Sequence, residues 1–154
     1  MISDLLKPES IIFGVQTAKN TKEDAIKKTS DLCALHSGQK SRALYKAFLK
    51  REKIETTGFG SGVAIPHAKI DKLQTPFILI ARFAEPVEWD SIDGKPVEVA
   101  IALVMPTTDK NNTHIKVLSS FSRKLADDSF IDRLKNEEDP NVLYNYIIKK
   151  MEEN

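Results

Sequence analysis

One of the three histidines in this 154-residue chain stands in a setting that invites chemistry. Gly58-Phe59-Gly60-Ser61-Gly62 leads into Val63-Ala64-Ile65, then Pro66 and His67. The glycines read as a turn and Val63 to Pro66 as a short strand. Pro66 fixes its own φ and drives Ile65 toward extended geometry. His67 is therefore expected where a rigid strand ends. Glycine turns also let backbone N–H groups approach an anion. A histidine so placed suits a charged group, a phosphoryl group above all. Neutral imidazole near pH 7 is a competent nucleophile. It can carry a phosphoryl group on one ring nitrogen while a hydrogen-bond acceptor holds the other.

Two further residues suit the same task, each with an ordinary alternative. Arg51 lies sixteen residues before His67 at the end of a predicted helix. There it either stays solvated and favours the helix C-terminus, or offers its guanidinium fork to phosphoryl oxygens. His114 falls on the first turn of another predicted helix, after Asn111-Asn112-Thr113. It is either a solvated helix-start residue or a contact for an anion, which a helix N-terminus favours modestly. Ser61 and Gly62 are possible support for the phosphoryl group, although a local turn bond explains Ser61 equally well. Phe59 suits a docking rim or a core position.

Other residues point away from chemistry. His36 sits beside Ser37-Gly38 and reads as part of a helix end. Cys33, the single cysteine, reads as a small core residue and excludes an internal disulfide or a thiolate zinc site. Three distant histidines provide no metal-ligand spacing. Glu85, Glu88, Asp90 and Asp93 read as a solvated loop rather than paired acids. The glycine stretch lacks the Gly-Lys-Ser/Thr ending of a nucleotide-binding loop. No cofactor is expected.

The elements that must position these residues can be read in order. Ile11 to Val15 is a short strand. Thr21 with Asp24 opens a helix that runs to about His36 and stops at Gly38. A second helix covers about Ser41 to Lys53. Phe77–Phe83 and Pro96 to Met105 are mostly apolar, as strands covered on both faces should be. The Asp93-Gly94 turn lies between them. Helices follow from about Asn112 or Thr113, over about Ser129 to Lys135, and from Asp139-Pro140, an N-cap and N1 pair. This pattern predicts an α/β (α+β) fold: a three-layer sandwich with a mixed β-sheet and helices on both faces. Residues 1–154 form one domain.

Bulk composition limits the partners. With 23 Lys+Arg against 22 Asp+Glu, net charge is +1, and the basic residues are scattered. Nucleic acid and anionic membrane are not expected partners. No apolar run reaches the ~20 residues of a membrane span, and the N-terminus lacks signal-peptide character, so a cytoplasmic location is expected.

Glu52, six spacers, Phe59-Gly60, two spacers and Val63-Ala64-Ile65-Pro66-His67-Ala68 resemble the signature of fructose/mannitol-type enzyme IIA proteins of the bacterial phosphoenolpyruvate-dependent sugar phosphotransferase system. Ala68 departs mildly from the usual glycine, and Ser61 stands where some relatives carry a longer acidic or amide residue. The resemblance is strongest from about Arg51 to His114. It implies that His67 is phosphorylated by the phosphocarrier HPr and passes its group to an enzyme IIB, commonly at a cysteine, serving a membrane permease IIC. It also implies that His114 contacts the phosphoryl oxygens and that Arg51 supplies countercharge. The alternative role is that of the nitrogen branch, where phosphorylation-dependent binding controls other proteins. The sugar is not legible. The absence of a fused domain suggests a free-standing subunit.

Overall fold

The computed structural model describes residues 2–153. Its sheet is organised around β6 (Val97–Pro106), the most continuously apolar strand. β5 (Phe77–Val87) pairs antiparallel with one side of β6. On the other side β3 (Val63–Ala64) and β4 (His67–Ile70) both run parallel to it. β1 (Leu6–Val15) lies parallel to β5, and β2 (Gly58–Gly60) pairs antiparallel with β3. The strand order is β1-β5-β6-β3-β2, with β4 prolonging the β3 position along β6.

Helices cover both faces, as the double-sided strands require. α2 (Lys22–Ser37) and α3 (Ser41–Glu52) lie on one face. On the other are α4 (Thr113–Lys124), α5 (Asp128–Asn136) and α6 (Pro140–Glu152), with the short α1 (Ile2–Leu5). Strand alternation sorts side chains between the two. Val99, Ile101, Leu103 and Met105 meet Val117, Phe121, Phe130 and Leu143. Ala100, Ala102 and Val104 meet Ile26, Cys33, Leu44 and Phe48. The second face is rich in alanine, also at Ala64, Ala68 and Ala81, so bulk there comes from the helices. Cys33 is fully buried, and burial pushes its thiol up to about 12, so it behaves as core.

The helix ends follow local chemistry. The Thr21 side chain accepts from the Asp24 N–H at 3.3 Å, and Gly38 closes α2 at φ 73°. Asp139 accepts from the Asn141 N–H at 2.8 Å, with Pro140 first in α6. Strand ends differ more from expectation. β1 begins at Leu6, before the expected Ile11, and a register irregularity lies between those residues. β5 continues past Phe83 to Val87, with another irregularity after Arg82. β2, β4 and α1 were not expected. Each is only three or four residues long and is held by its neighbours rather than by its own periodicity.

Candidate functional site

His67 opens β4 rather than closing a strand. Val63 lies opposite Val99, and His67 opposite Leu103, so the line continues along β6 without a slip. Pro66 keeps it in the sheet through its carbonyl, which accepts from the Leu103 N–H at 2.9 Å. Val63 and Ile65 face the α4–α6 side, whereas Ala64, Ala68 and Ile70 face α2 and α3. Alternation therefore turns His67 toward the α4 side.

A buried carboxylate anchors this support. Glu52, the last residue of α3, accepts from the Thr57 N–H at 2.8 Å and from the Thr57 hydroxyl at 2.5 Å. It also pairs with Lys22 Nζ at 3.2 Å. The Thr57 carbonyl in turn accepts from the Ile65 N–H at 3.0 Å. Glu52 thus links both helices of one face to the strand two residues before His67. The signature includes Glu52, but its pattern alone assigns this residue no task.

The ring of His67 is largely covered, and neither nitrogen makes a hydrogen bond. The acceptor expected to hold one nitrogen has a single candidate among the described residues, the Ile65 carbonyl. The Ile65 carbonyl faces the ring without a bond of good geometry. Burial first, then the positive charge of Arg51, push His67 down to about 4. His114 acts in the same direction, while the Ile65 carbonyl and Glu52 oppose it. His67 is consequently neutral at pH 7 and keeps a lone pair for attack.

Arg51, in the last turn of α3, donates from Nη1 to the Glu55 carbonyl at 2.7 Å. That bond uses one of five guanidinium N–H donors and braces the turn that follows the helix. His114 is the second residue of α4. Asn112, the residue at the N-cap position, has φ 53° and makes no side-chain cap bond. Asp109 does this work from the preceding loop. It accepts from the N–H groups of Thr113 and His114 at 3.0 and 2.9 Å, and its Oδ2 lies 2.6 Å from His114 Nδ1. Burial raises the Asp109 carboxyl, but the bonds from the His114 ring and the two backbone groups outweigh it and bring it down to about 2. The sequence reading missed Asp109 because Asn112 occupies the obvious cap position. An acid four residues before the first helical residue was the available signal.

The structure brings His67 together with Arg51 and His114, both of which act on it electrostatically, but not with Ser61 and Gly62. Those two form the tip of the β2–β3 hairpin. Val63 to His67 is four strand steps, about 13 Å, and the tip lies beyond Val63. Gly60, Ser61 and Gly62 all have positive φ, at 116°, 56° and 82°. The Asp93 carboxylate clamps the tip by accepting from the Ser61 N–H at 2.9 Å. The glycine turn is therefore not an anion cradle for His67; it closes a tight hairpin. Asp93 is exposed, as expected of this loop, and makes the clamp from there. Phe59 is 39% exposed on β2, rather than buried.

Among the described residues no group of three or more His, Cys, Asp or Glu side chains is arranged to hold a metal ion. No helix among them is long and apolar enough to cross a membrane.

Known proteins resemble the chain along nearly its whole length. It is 35% identical over 146 residues to a nitrogen regulatory protein of Bradyrhizobium diazoefficiens, covering 95% of this chain and 94% of that one. Its fold matches the crystal structure of nitrogen regulatory protein IIA-Ntr from Neisseria meningitidis with TM-score 0.83 and 25% identity, over 97% and 98% of the two chains. It also matches, with TM-score 0.73 and 23% identity over 97% and 100%, a chain in the complex of enzyme IIAMTL and phosphorylated enzyme IIBMTL from Escherichia coli. The model of the family "Phosphoenolpyruvate-dependent sugar phosphotransferase system, EIIA 2" matches residues 4–150, and the chain belongs to that family.

Proposed function

We propose that this protein is a phosphoryl carrier that takes its group from phospho-HPr on His67 and hands it to a partner protein. The observation that carries this reading is a neutral, unpaired imidazole on a rigid strand, under the positive influence of Arg51 and beside His114. The lone pair of one His67 nitrogen forms the new N–P bond as the donor N–P bond breaks, and the donor nitrogen keeps that electron pair. Rate then depends on in-line placement and on countercharge at the phosphoryl oxygens. Arg51 supplies the charge and His114 a donor. Both His67 nitrogens are shielded in the free protein, so donor docking has to uncover one. We read residues 1–154 as one such carrier domain, working in the cytoplasm.

For the next step, the transport reading has a IIB cysteine as acceptor and a IIC permease as the eventual beneficiary, with fructose or mannitol among the candidate sugars. The family description and the solved IIA–IIB complex of a fold relative support it. A second reading, regulation through phosphorylation-dependent binding, is favoured by the nitrogen regulatory relative that matches 95% of this chain. The two divide at the acceptor.

The test uses labelled phosphoenolpyruvate, enzyme I and HPr, with wild type and His67→Ala side by side. Acid-labile label on wild type alone is expected. Stoichiometric label on the folded variant would overturn the assignment. A chase with IIB proteins then separates the readings: transfer supports transport, whereas a stable phospho-form that changes binding to another protein supports regulation.

A further inference from the structure

His114 is more tightly held than a helix-start histidine needs to be. The Asp109 carboxylate receives three N–H groups: two from the backbone of α4 and one from the ring it serves. A single solvated cap residue would satisfy the helix end. The additional ring contact, at 2.6 Å, is that of a charge-assisted bond. An ionised carboxylate has no hydrogen to give, so the hydrogen in that contact sits on His114 Nδ1. Nε2 is then the free end of the ring, and the side chain is held by a group that cannot rotate away without also uncapping α4.

We propose that Asp109 is a positioning residue for phosphoryl transfer, one that keeps the His114 hydrogen on Nδ1 and so presents Nε2 to the phosphoryl group of His67. This rests on the phosphoryl-carrier reading. With Nδ1 already committed, Nε2 can donate to a phosphoryl oxygen only after taking up a proton from water. The result is an imidazolium between the Asp109 carboxylate and the phosphoryl dianion. Asp109 stabilises that cation, as a carboxylate does behind a catalytic histidine. Arg51 contributes charge on the same group, and Asp109 fixes which His114 nitrogen meets it.

Asp109→Asn removes the carboxylate charge and keeps one of the two oxygens that accept from the Thr113 and His114 N–H groups. With its oxygen kept on the Thr113 N–H, its Nδ2 takes the place of Oδ2, donates to Nδ1 and moves the His114 hydrogen to Nε2, at the cost of the acceptor for the His114 backbone N–H and of the charge that stabilises an imidazolium. The first measurement is the ¹⁵N spectrum of the histidine rings, with His114→Gln to assign the resonances. Wild type is expected to show Nδ1–H at His114, and Asp109→Asn to lose it. The second measurement is the rate of labelling by phospho-HPr, expected to fall at least ~10-fold in Asp109→Asn. In the His114→Gln background the same substitution should cost less than about twofold, because its partner is gone. An Nε2–H tautomer in wild type would overturn the proposal. So would an Asp109→Asn rate equal to that of wild type, or fully additive losses in the double variant. Wild type that takes no label would instead defeat the carrier reading, and this inference with it.

Discussion

The two ends of the β3–β4 line differ in nearly every respect. At one end Gly60-Ser61-Gly62 turns sharply, with Asp93 clamping the Ser61 N–H. At the other His67 sits covered, unpaired and neutral, with Arg51, His114 and Glu52 acting on it. The first end has the residue types of an anion cradle, but its amides serve the fold: the Ser61 N–H is taken by Asp93, and the Gly62 carbonyl accepts from Glu98 and Val99. The second end has no glycine and holds the nucleophile. An anion-binding composition is therefore not a site unless its donors remain free, and about 13 Å of extended strand is enough to separate the two.

The sharpest way to break this contrast is to remove charge at the His67 end. Arg51→Ala should slow labelling by phospho-HPr by about 100-fold, the scale of losing one donor to a developing anion, with Arg51→Lys recovering only part. A rate unchanged in Arg51→Ala would leave His67 without its proposed countercharge. Next comes the buried anchor. Glu52→Ala removes a carboxylate that is 7% exposed and strands the Thr57 N–H and Lys22. It should cost about 3 kcal/mol, or ~6–12 °C in melting temperature for a chain of this size. Calorimetry showing no loss would mean that Glu52 does not brace the His67 strand.

The same end should also reveal itself in pH. The His67 pKa is lowered from the ordinary 6.5 to about 4 in the folded protein. As pH falls below 6.5 the unfolded chain binds this proton first, so stability present above 6.5 is lost progressively down to 4. Linkage puts the contribution at about 3 kcal/mol. His67→Gln should flatten the fall between pH 7 and 4.5 in denaturant titrations; an unaltered slope would mean that His67 does not titrate low. The smallest effect belongs to the tip. Ser61→Gly relieves a positive φ and should leave the labelling rate within about twofold, with stability equal or slightly higher. A tenfold loss of rate would put the tip back into the site.

Much of this was legible along the chain. Thr21, Gly38 and the Asp139-Pro140 pair mark helix ends because capping is a contest among residues a few positions apart. The runs around Leu79 and Ile101 announce strands covered on both faces. His67 stands out because Pro66 constrains its neighbourhood locally. The separation of Ser61 from His67 was implicit in the strand reading, since extended residues advance about 3.3 Å each. β2 and β4 were not legible, because their hydrogen bonds are made to β3 and β6 rather than within themselves. Asp109 was hidden for a related reason: its acceptor role depends on a left-handed Asn112 that folds the loop back onto α4.

The sequence by itself determined the layers, the helix limits and the identity of the exceptional histidine, because each depends on periodicity or on neighbours within one turn. Tertiary structure alone decided which groups act on His67 and which glycines stand apart from it. Those facts depend on the meeting of α3, the 107–112 loop and β4, segments far apart in the chain. Their burial also sets the ionisation of His67, through desolvation and a distant charge that no local pattern encodes.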